Sequence, residues 1–393
     1  MNGIRNKFPW PVKTLDELID QGHINLGRGK IISRKDLAAT PGHYPVYSSA
    51  KENEGKFGEY GHYMFDEELI TWSVDGGGRL FHRPRHKFSV TNVGGTLRIN
   101  NTNILNYRFL FFCLTLQHTK INFDWVKKAH PSVIRKLYTD IPLPPLPEQK
   151  RIVAILDETF AGIATAVANA EKNLANAREL FESHLNAVFT LKGDGWKSTN
   201  VGNICEVIAG QSPPGKYYNE CGDGLPFYQG KKDFGEKYIQ LAKKWTSYTT
   251  KEAYADDILM SVRAPVGPIN FATETICIGR GLAAIRAGND IECKFLFYCL
   301  LSKQNEISGN EGAVFASINK SQIAHIQITL PPLIEQKRII SSLDALSAET
   351  QRLESVYQQK LDSLAELKQS ILQKAFSGEL TKAPDRALAE ASA

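Results

Sequence analysis

The sequence predicts an α/β chain built as two similar globular domains, each followed by a long helix. A ten-residue stretch occurs twice, nine of its ten positions identical: Leu143-Pro144-Pro145-Leu146-Pro147-Glu148-Gln149-Lys150-Arg151-Ile152 and Leu330-Pro331-Pro332-Leu333-Ile334-Glu335-Gln336-Lys337-Arg338-Ile339. A long heptad-like pattern follows each copy, and shorter matching runs precede each. A repeat this far apart marks two whole domains rather than solenoid units. The 393 residues also exceed one typical core.

The first domain is placed at residues 1–141, the first helix at 142–192, the second domain at 193–329, the second helix at 330–380 and a frayed Ala-rich tail at 381–393. Within the domains, Leu15-Asp16-Glu17-Leu18-Ile19 is paired with Ile204-Cys205-Glu206-Val207-Ile208, and Pro45-Val46-Tyr47 with Pro226-Phe227-Tyr228. Two runs read as strands, 69–74 and 258–262, rich in large apolar and β-branched residues. Gly-rich or Pro/Gly turns follow them, at 75–78 and 264–267. Residues 96–99 are paired with 283–286, and Ser132-Val133 with Ser317-Ile318. Residues 107–114 and 293–300 each read as a buried helix.

In the first long helix the apolar positions Val153, Leu156, Phe160, Ile163, Val167, Ala170, Leu174, Ala177, Phe181 and Val188 step by three and four, with His184 the polar member. In the second, Ile340, Leu343, Thr350, Leu361, Leu364, Ile371 and Ala375 keep the phase; Ser347 and Glu354 break it. Glu148 and Glu335 suit the positive helix start. Two seams of equal length predict that the helices pair, antiparallel, with Leu156, Phe160, Ile163, Val167, Leu174, Phe181, Leu343, Leu361, Leu364 and Ile371 at the helix–helix and subunit interface. Ala187-Val188-Phe189 matches Lys374-Ala375-Phe376, and Trp196 matches Trp10, so the order is cyclic: domain, helix, domain, helix, with a pseudo-two-fold.

This layout resembles the DNA specificity subunits of Type I restriction–modification systems. The proline-rich E-Q-x-R-I entry to each helix, the ending Ala375-Phe376-Ser377-Gly378-Glu379-Leu380, and the runs 226–231 and 261–267 carry the resemblance. It implies two target-recognition domains, each reading one half of a bipartite, asymmetric site on double-stranded DNA. It implies a coiled-coil spacer that docks two adenine-methyltransferase subunits, with restriction (motor/nuclease) subunits completing the complex. S-adenosylmethionine, Mg and ATP are then expected on partner subunits, no cofactor on this chain, and the chain itself is expected to be non-catalytic.

Composition agrees with a chain of this type. Net charge is +5, distributed as +7 over residues 1–141, −1 over 142–192, 0 over 193–329 and −1 over 330–393. A basic first domain suits a polyanion. No eighteen successive apolar residues occur and the first ten carry no apolar signal region, so a cytoplasmic protein away from membranes is expected. The six cysteines form no C-x-x-C pair, which predicts reduced thiols.

Catalytic motifs fail on inspection. Gly210-Gln211-Ser212-Pro213-Pro214-Gly215-Lys216 has phosphate-loop spacing, but Tyr217 follows where a Mg²⁺-binding hydroxyl is needed and two prolines remove N–H groups; a Pro/Gly turn after a short helix is expected. The E-x-K at Glu54-Gly55-Lys56 lacks an upstream Asp. His43, His62, His82 and His86 show no metal-ligand spacing.

Residues for DNA are sought on loops, because phosphates take Arg, Lys and hydroxyls and base edges take Arg, Lys, Asn, Gln or Ser. In the first domain these are Ser48, Ser49, Lys51, Arg79, Arg83, Arg85 and Lys128. In the second they are Gln229, Lys231, Lys232, Arg263 and Lys320.

Overall fold

A computed structural model describes residues 9–49, 53–75, 77–121, 128–191, 193, 195–308 and 317–380. It divides into two compact units, Met1–Ala170 with Gln359–Ala393, and Glu171–Gln358. Each unit therefore holds one sheet domain and one half of each long helix. The tail at 381–393, together with Lys51, Gly76 and Lys127, lies outside the described residues.

In the first unit, six strands lie in the order Ile24–Arg28, Gly94–Ile99, Phe65–Ser73, Leu80–Val90, Tyr44–Tyr47, Lys56–Tyr60. The long strand Leu80–Val90 joins two partners. It pairs antiparallel with Phe65–Ser73, and its end, Ser89-Val90, runs parallel to Val46-Tyr47. The helix Tyr107–His118 is apolar on nearly every side, as a buried helix must be. The Asn106 side chain caps it by accepting from Phe109 N at 2.9 Å. Phe109, Leu110, Phe112 and Leu114 centre the core, each such side chain contributing about 1.5–3 kcal/mol of burial.

The second unit repeats this plan with the sheet divided. Cys205–Ala209, Leu282–Ala287, Ile258–Ser261 and Ile269–Phe271 form one sheet. Tyr218–Asn219, Trp245–Thr246, Leu225–Tyr228, Ile276–Ile278 and Glu252–Ala253 form the other. Here the counterpart of Leu80–Val90 is broken into Ile269–Phe271 and Ile276–Ile278. Leu225–Tyr228 still runs parallel to the second piece. The helix Cys293–Ser302 centres the core through Phe295, Leu296, Phe297 and Tyr298.

The duplicated motif is explained by its glutamine. Gln149 and Gln336 are both fully buried. Gln149 Oε1 accepts from Asn106 N at 2.9 Å, and its Nε2 donates to Ile104 O and Pro144 O at 2.8 and 2.9 Å. Gln336 Oε1 accepts from Glu292 N at 2.8 Å, and its Nε2 donates to Asp290 O and Pro331 O, both at 3.0 Å. One amide thus satisfies the cap of the buried helix and the chain entering the long helix. A second clip lies further along. Arg108 forks onto Asp157, the shortest contact being 2.6 Å. In the other unit, Lys294 and Lys237 reach Asp344 at 2.8 Å each, and Tyr298 Oη donates to it at 2.5 Å.

The long helices are Leu146–Thr190 and Leu333–Ser377. In the first unit, Ile152, Leu156 and Phe160, near the start of one, share a core with Ile371, Leu372, Ala375 and Phe376, near the end of the other. Lys368 Nζ lies 5.2 Å from the Phe160 ring centroid. In the second unit Phe181 and Leu185 share a core with Ile339 and Leu343, and Arg178 meets Glu354 at 2.7 Å. Each unit by itself requires antiparallel helices. Ile163 is buried, and Val167, Leu174, Leu361 and Leu364 are half-buried. Two irregularities gain reasons: Glu354 leaves the apolar seam to receive Arg178, and the seam passes through buried Leu185 rather than exposed His184.

Several pairings between the halves need correction. Leu15–Asp20 is a helix closed by a Thr14/Glu17 capping box, whereas Cys205–Ala209 is a strand. The strand equivalent to Cys205–Ala209 is Ile24–Arg28, since each pairs with the last strand of its sheet domain. The 96–99 pairing is off by one: Ile70 faces Leu97 and Ile258 faces Ile285, so Arg98 matches Arg286. Each of these arginines forks onto a carboxylate, Glu67 within the neighbouring strand or Asp257 immediately before it. Ser132 lies inside the helix Pro131–Leu137, while Ser317 precedes the helix Lys320–Ala324. The run beginning at Gly210 follows a strand, not a short helix. No eighteen successive residues are all apolar, but the helix Leu146–Thr190 is long and apolar enough by composition to cross a membrane, and its most apolar stretch is mostly unburied. Alanines interspersed among few charges raise its hydropathy.

Candidate nucleic-acid interface

In the first unit four loops converge beyond one end of the sheet. Val74 N donates to Val93 O at 2.9 Å, Ala129 N to Val74 O at 2.8 Å, and Thr91 N to Tyr47 O at 2.8 Å. These bonds bring together residues 48–49, 74–75, 77–79, 91–93 and 128–130. Ser48 and Ser49 act as pins within the cluster: Thr91 Oγ1 donates to Ser48 Oγ at 2.8 Å, Ser49 Oγ donates to Val93 O, and Asp75 N donates to Ser49 Oγ at 3.3 Å. Arg79 is exposed and Lys128 pairs with Asp75 at 3.2 Å.

Two of the candidate arginines sit elsewhere. Arg83 is 2% exposed, which corrects its assignment as a direct DNA contact. Its guanidinium packs 3.5 Å from the Tyr47 ring centroid and donates to Thr71 Oγ1 and Glu54 O. Burial takes its pKa down to about 10, against the pull of Tyr47 and Glu54. It fastens the loop after Tyr47 to the sheet. Arg85 is exposed beside Asp66 at 3.8 Å, and none of the loop-to-loop bonds involves it.

In the second unit the equivalent loops frame an open cleft of about 560 Å³, lined by Gln229, Lys231, Lys232, Ser261, Arg263 and Pro265 among others. The backbone bonds recur: Val262 N to Gly281 O at 3.0 Å, Ile318 N to Val262 O at 3.0 Å, Gly279 N to Tyr228 O at 2.8 Å. Gln229, Lys231, Lys232 and Arg263 are all exposed here. Lys320 is exposed at the start of its helix, three residues past Ser317, which bridges to Arg263.

Sequence reasoning missed Arg28, Lys30 and Arg280. Arg28 reaches Asn92 O, and Lys30 bridges to Thr91, both inside the first loop cluster. Exposed Arg280 precedes Gly281 at the cleft. The available signal was a glycine beside each loop. A Cβ on Gly29 would lie 2.0 Å from Val90 O, and one on Gly210 2.3 Å from Gly279 O. Both glycines are needed for close packing. The phosphate-loop resemblance dissolves for the same reason: Gly210 N and Gln211 N are already bonded, to Leu282 O at 2.9 Å and Ile278 O at 3.0 Å.

The sequence matches the family profile described as the Type I restriction modification DNA specificity domain, over residues 9–173 and again over 193–362. The chain belongs to this family. It is 36% identical over 271 residues to a putative type I restriction enzyme MjaX specificity subunit of Methanocaldococcus jannaschii, covering 64% of this chain. That match spans 63% of the relative's own length. A putative type I specificity subunit of Mycoplasma pneumoniae is 25% identical over 336 residues, 82% of this chain and 86% of that one. Among solved structures, a chain described under complex assembly and conformational transition of the type I R-M system matches with TM-score 0.75 at 28% identity. It covers 91% of this chain and 98% of that one. The HsdS subunit from Thermoanaerobacter tengcongensis matches with TM-score 0.58 at 28% identity, over 97% and 100% of the two chains. The family's fold, two tandem specificity domains with long helices, is the fold described above.

Proposed function

We propose that the chain is the DNA-reading subunit of a Type I restriction–modification complex. Each sheet domain reads one half of a bipartite, asymmetric site on double-stranded DNA. The carrying observation is that two divergent domains keep one hydrogen-bonded loop scaffold while presenting different exposed side chains from it. A shared scaffold with unlike tips is what two different half-sites require. The contacts follow from residue chemistry. Arg28, Lys30, Arg79 and Lys128, with the Ser48–Ser49 loop and Lys51, serve the first half-site. Gln229, Lys231, Lys232, Arg263, Arg280 and Lys320 serve the second. Arg83 acts only by holding its loop, and Arg85 is left off the interface.

The long helices dock two methyltransferase subunits. Support comes from the apolar window of Leu146–Thr190, which is mostly exposed and invites a protein partner. Methyl transfer and cleavage belong to partner subunits, which bring S-adenosylmethionine, Mg and ATP, and the complex works in the cytoplasm, where its DNA is. Filter binding tests the reading first. The full chain should retain random duplex at low salt and lose it steeply as salt rises. No retention at any salt would refute it.

A further inference from the structure

The turns after Phe65–Ser73 and Ile258–Ser261 differ in chemistry and, by one residue, in length, yet they are anchored at their start by the same backbone bonds. Val74 and Val262 are equivalent by two bonds each. Each donates its N–H to the turn before the last strand, Val93 O or Gly281 O, and each accepts from the segment leading to the next short helix, Ala129 N or Ile318 N. Closing the turn, Gly78 N donates to Ser73 O and Gly267 N to Ser261 O, both at 3.1 Å. The residues that follow the two valines are Asp75 and Arg263, so one scaffold position carries opposite charges.

Both backbones are fixed and both side chains face outward. Asp75 N donates to Ser49 Oγ at 3.3 Å, and its carboxylate is shared with Lys128 at 3.2 Å. Arg263 O, at 3.1 Å, and Pro265 O, at 3.0 Å, share the single proton of the Ser261 hydroxyl, and Arg263 bridges to Ser317. Its guanidinium has no ion-pair partner among the described residues and opens onto the cleft beside Gln229 and Lys232.

A carboxylate at a DNA surface is repelled by phosphate but can accept from an exocyclic amino group of a base, and the 3.2 Å pair with Lys128 offsets the charge of Asp75 there. An arginine at the same place forks onto guanine O6 and N7. Resting on the DNA-reading function above, we infer that position 75/263 is a base-reading position in both domains: Arg263 specifies a guanine in one half-site, and Asp75 takes the amino group of a cytosine or adenine in the other.

Selection from a randomised duplex pool with the full chain tests this. The wild type should enrich two blocks of sequence. Arg263→Lys keeps the charge but loses the fork. It should lose roughly tenfold to a hundredfold discrimination at one guanine of one block, with the salt slope and the other block unchanged. Asp75→Asn should relax one position of the other block only. Melting temperatures within a degree of wild type exclude misfolding as the cause. Enriched blocks that stay identical in Arg263→Lys and Arg263→Ala, with affinity lowered uniformly, would make Arg263 a phosphate contact and overturn the inference. A wild type that enriches nothing would instead overturn the DNA-reading function, and this inference with it.

Discussion

Replacing Gln149 by alanine should detach the first long helix from its sheet domain while leaving the second unit intact. The side chain is fully buried and makes three hydrogen bonds, to Asn106 N, Ile104 O and Pro144 O. A typical buried hydrogen bond contributes about 1 kcal/mol net, and unsatisfied buried partners cost more. Three bonds therefore correspond to a loss of about 3 kcal/mol, before any cavity cost. At 1.4 kcal/mol per tenfold, amides at the start of the Tyr107–His118 helix should exchange about a hundredfold faster through local opening. Hydrogen exchange read by mass spectrometry resolves this peptide by peptide. Gln149→Met, which keeps most of the volume and none of the bonds, should behave nearly as badly. Gln336→Ala should produce the mirror result at Cys293–Ser302 and spare the first unit. Unchanged exchange in Gln149→Met, or exchange raised equally in both units by either variant, would refute the clamp.

Three further outcomes follow from the geometry. Burial raises the Asp344 pKa, but hydrogen bonds from Lys237, Lys294 and Tyr298 prevail and bring it to about 2, below the ordinary 3.8; its stabilisation, at most about 2 kcal/mol, is complete above pH 4 and vanishes as pH falls through 2. Asp344→Asn should flatten the acid limb of a urea-unfolding series across that window, and a wild-type limb already flat there would contradict the cluster. Lys231→Ala with Lys232→Ala should lower the salt slope of duplex binding by about 1.8 in log–log units, at roughly 0.9 per phosphate, a value read directly by titration at several salt concentrations. Residues 171–358 form one contiguous compact unit, so that fragment should unfold cooperatively on its own; residues 1–170 should not, because Leu372, Ala375 and Phe376 complete their core, and adding a 359–380 peptide should restore the transition.

Much of the architecture was legible because apolar spacing and a duplicated motif survive without structure. The two buried helices, the two strands before the turns and the long helices all stand where periodicity places them. Register was not legible. Thr96-Leu97 and Ala283-Ala284 look interchangeable as small-and-apolar pairs, and the offset is fixed by strand pairing, with the matching ion pairs of Arg98 and Arg286 following from it. The motif glutamine was visible as repeated within the chain but its work was not, since that depends on the Ile104 carbonyl and the Asn106 N–H, more than forty residues away. Arg83 and Arg85 look alike in an R-x-R run and regular alternation would put both on one face, yet a register shift breaks it: Leu69 faces Arg83 while Glu67 faces His86, so Arg83 is buried over Tyr47 and Arg85 is exposed. In the second unit Gln229, Lys231, Lys232 and Arg263 do meet around one cleft, because each belongs to a loop that must leave the same end of the sheet.

The most direct test of the account is the sequence read-out of the assembled complex. Methylome sequencing of cells carrying this chain with its cognate methyltransferase should reveal one motif of two unlike blocks, separated by a fixed gap of unspecified base pairs. Exchanging residues 193–329 for the same segment of another family member should replace one block and keep the other. A single uninterrupted motif, or an exchange that alters both blocks together, would contradict two independent readers on one scaffold.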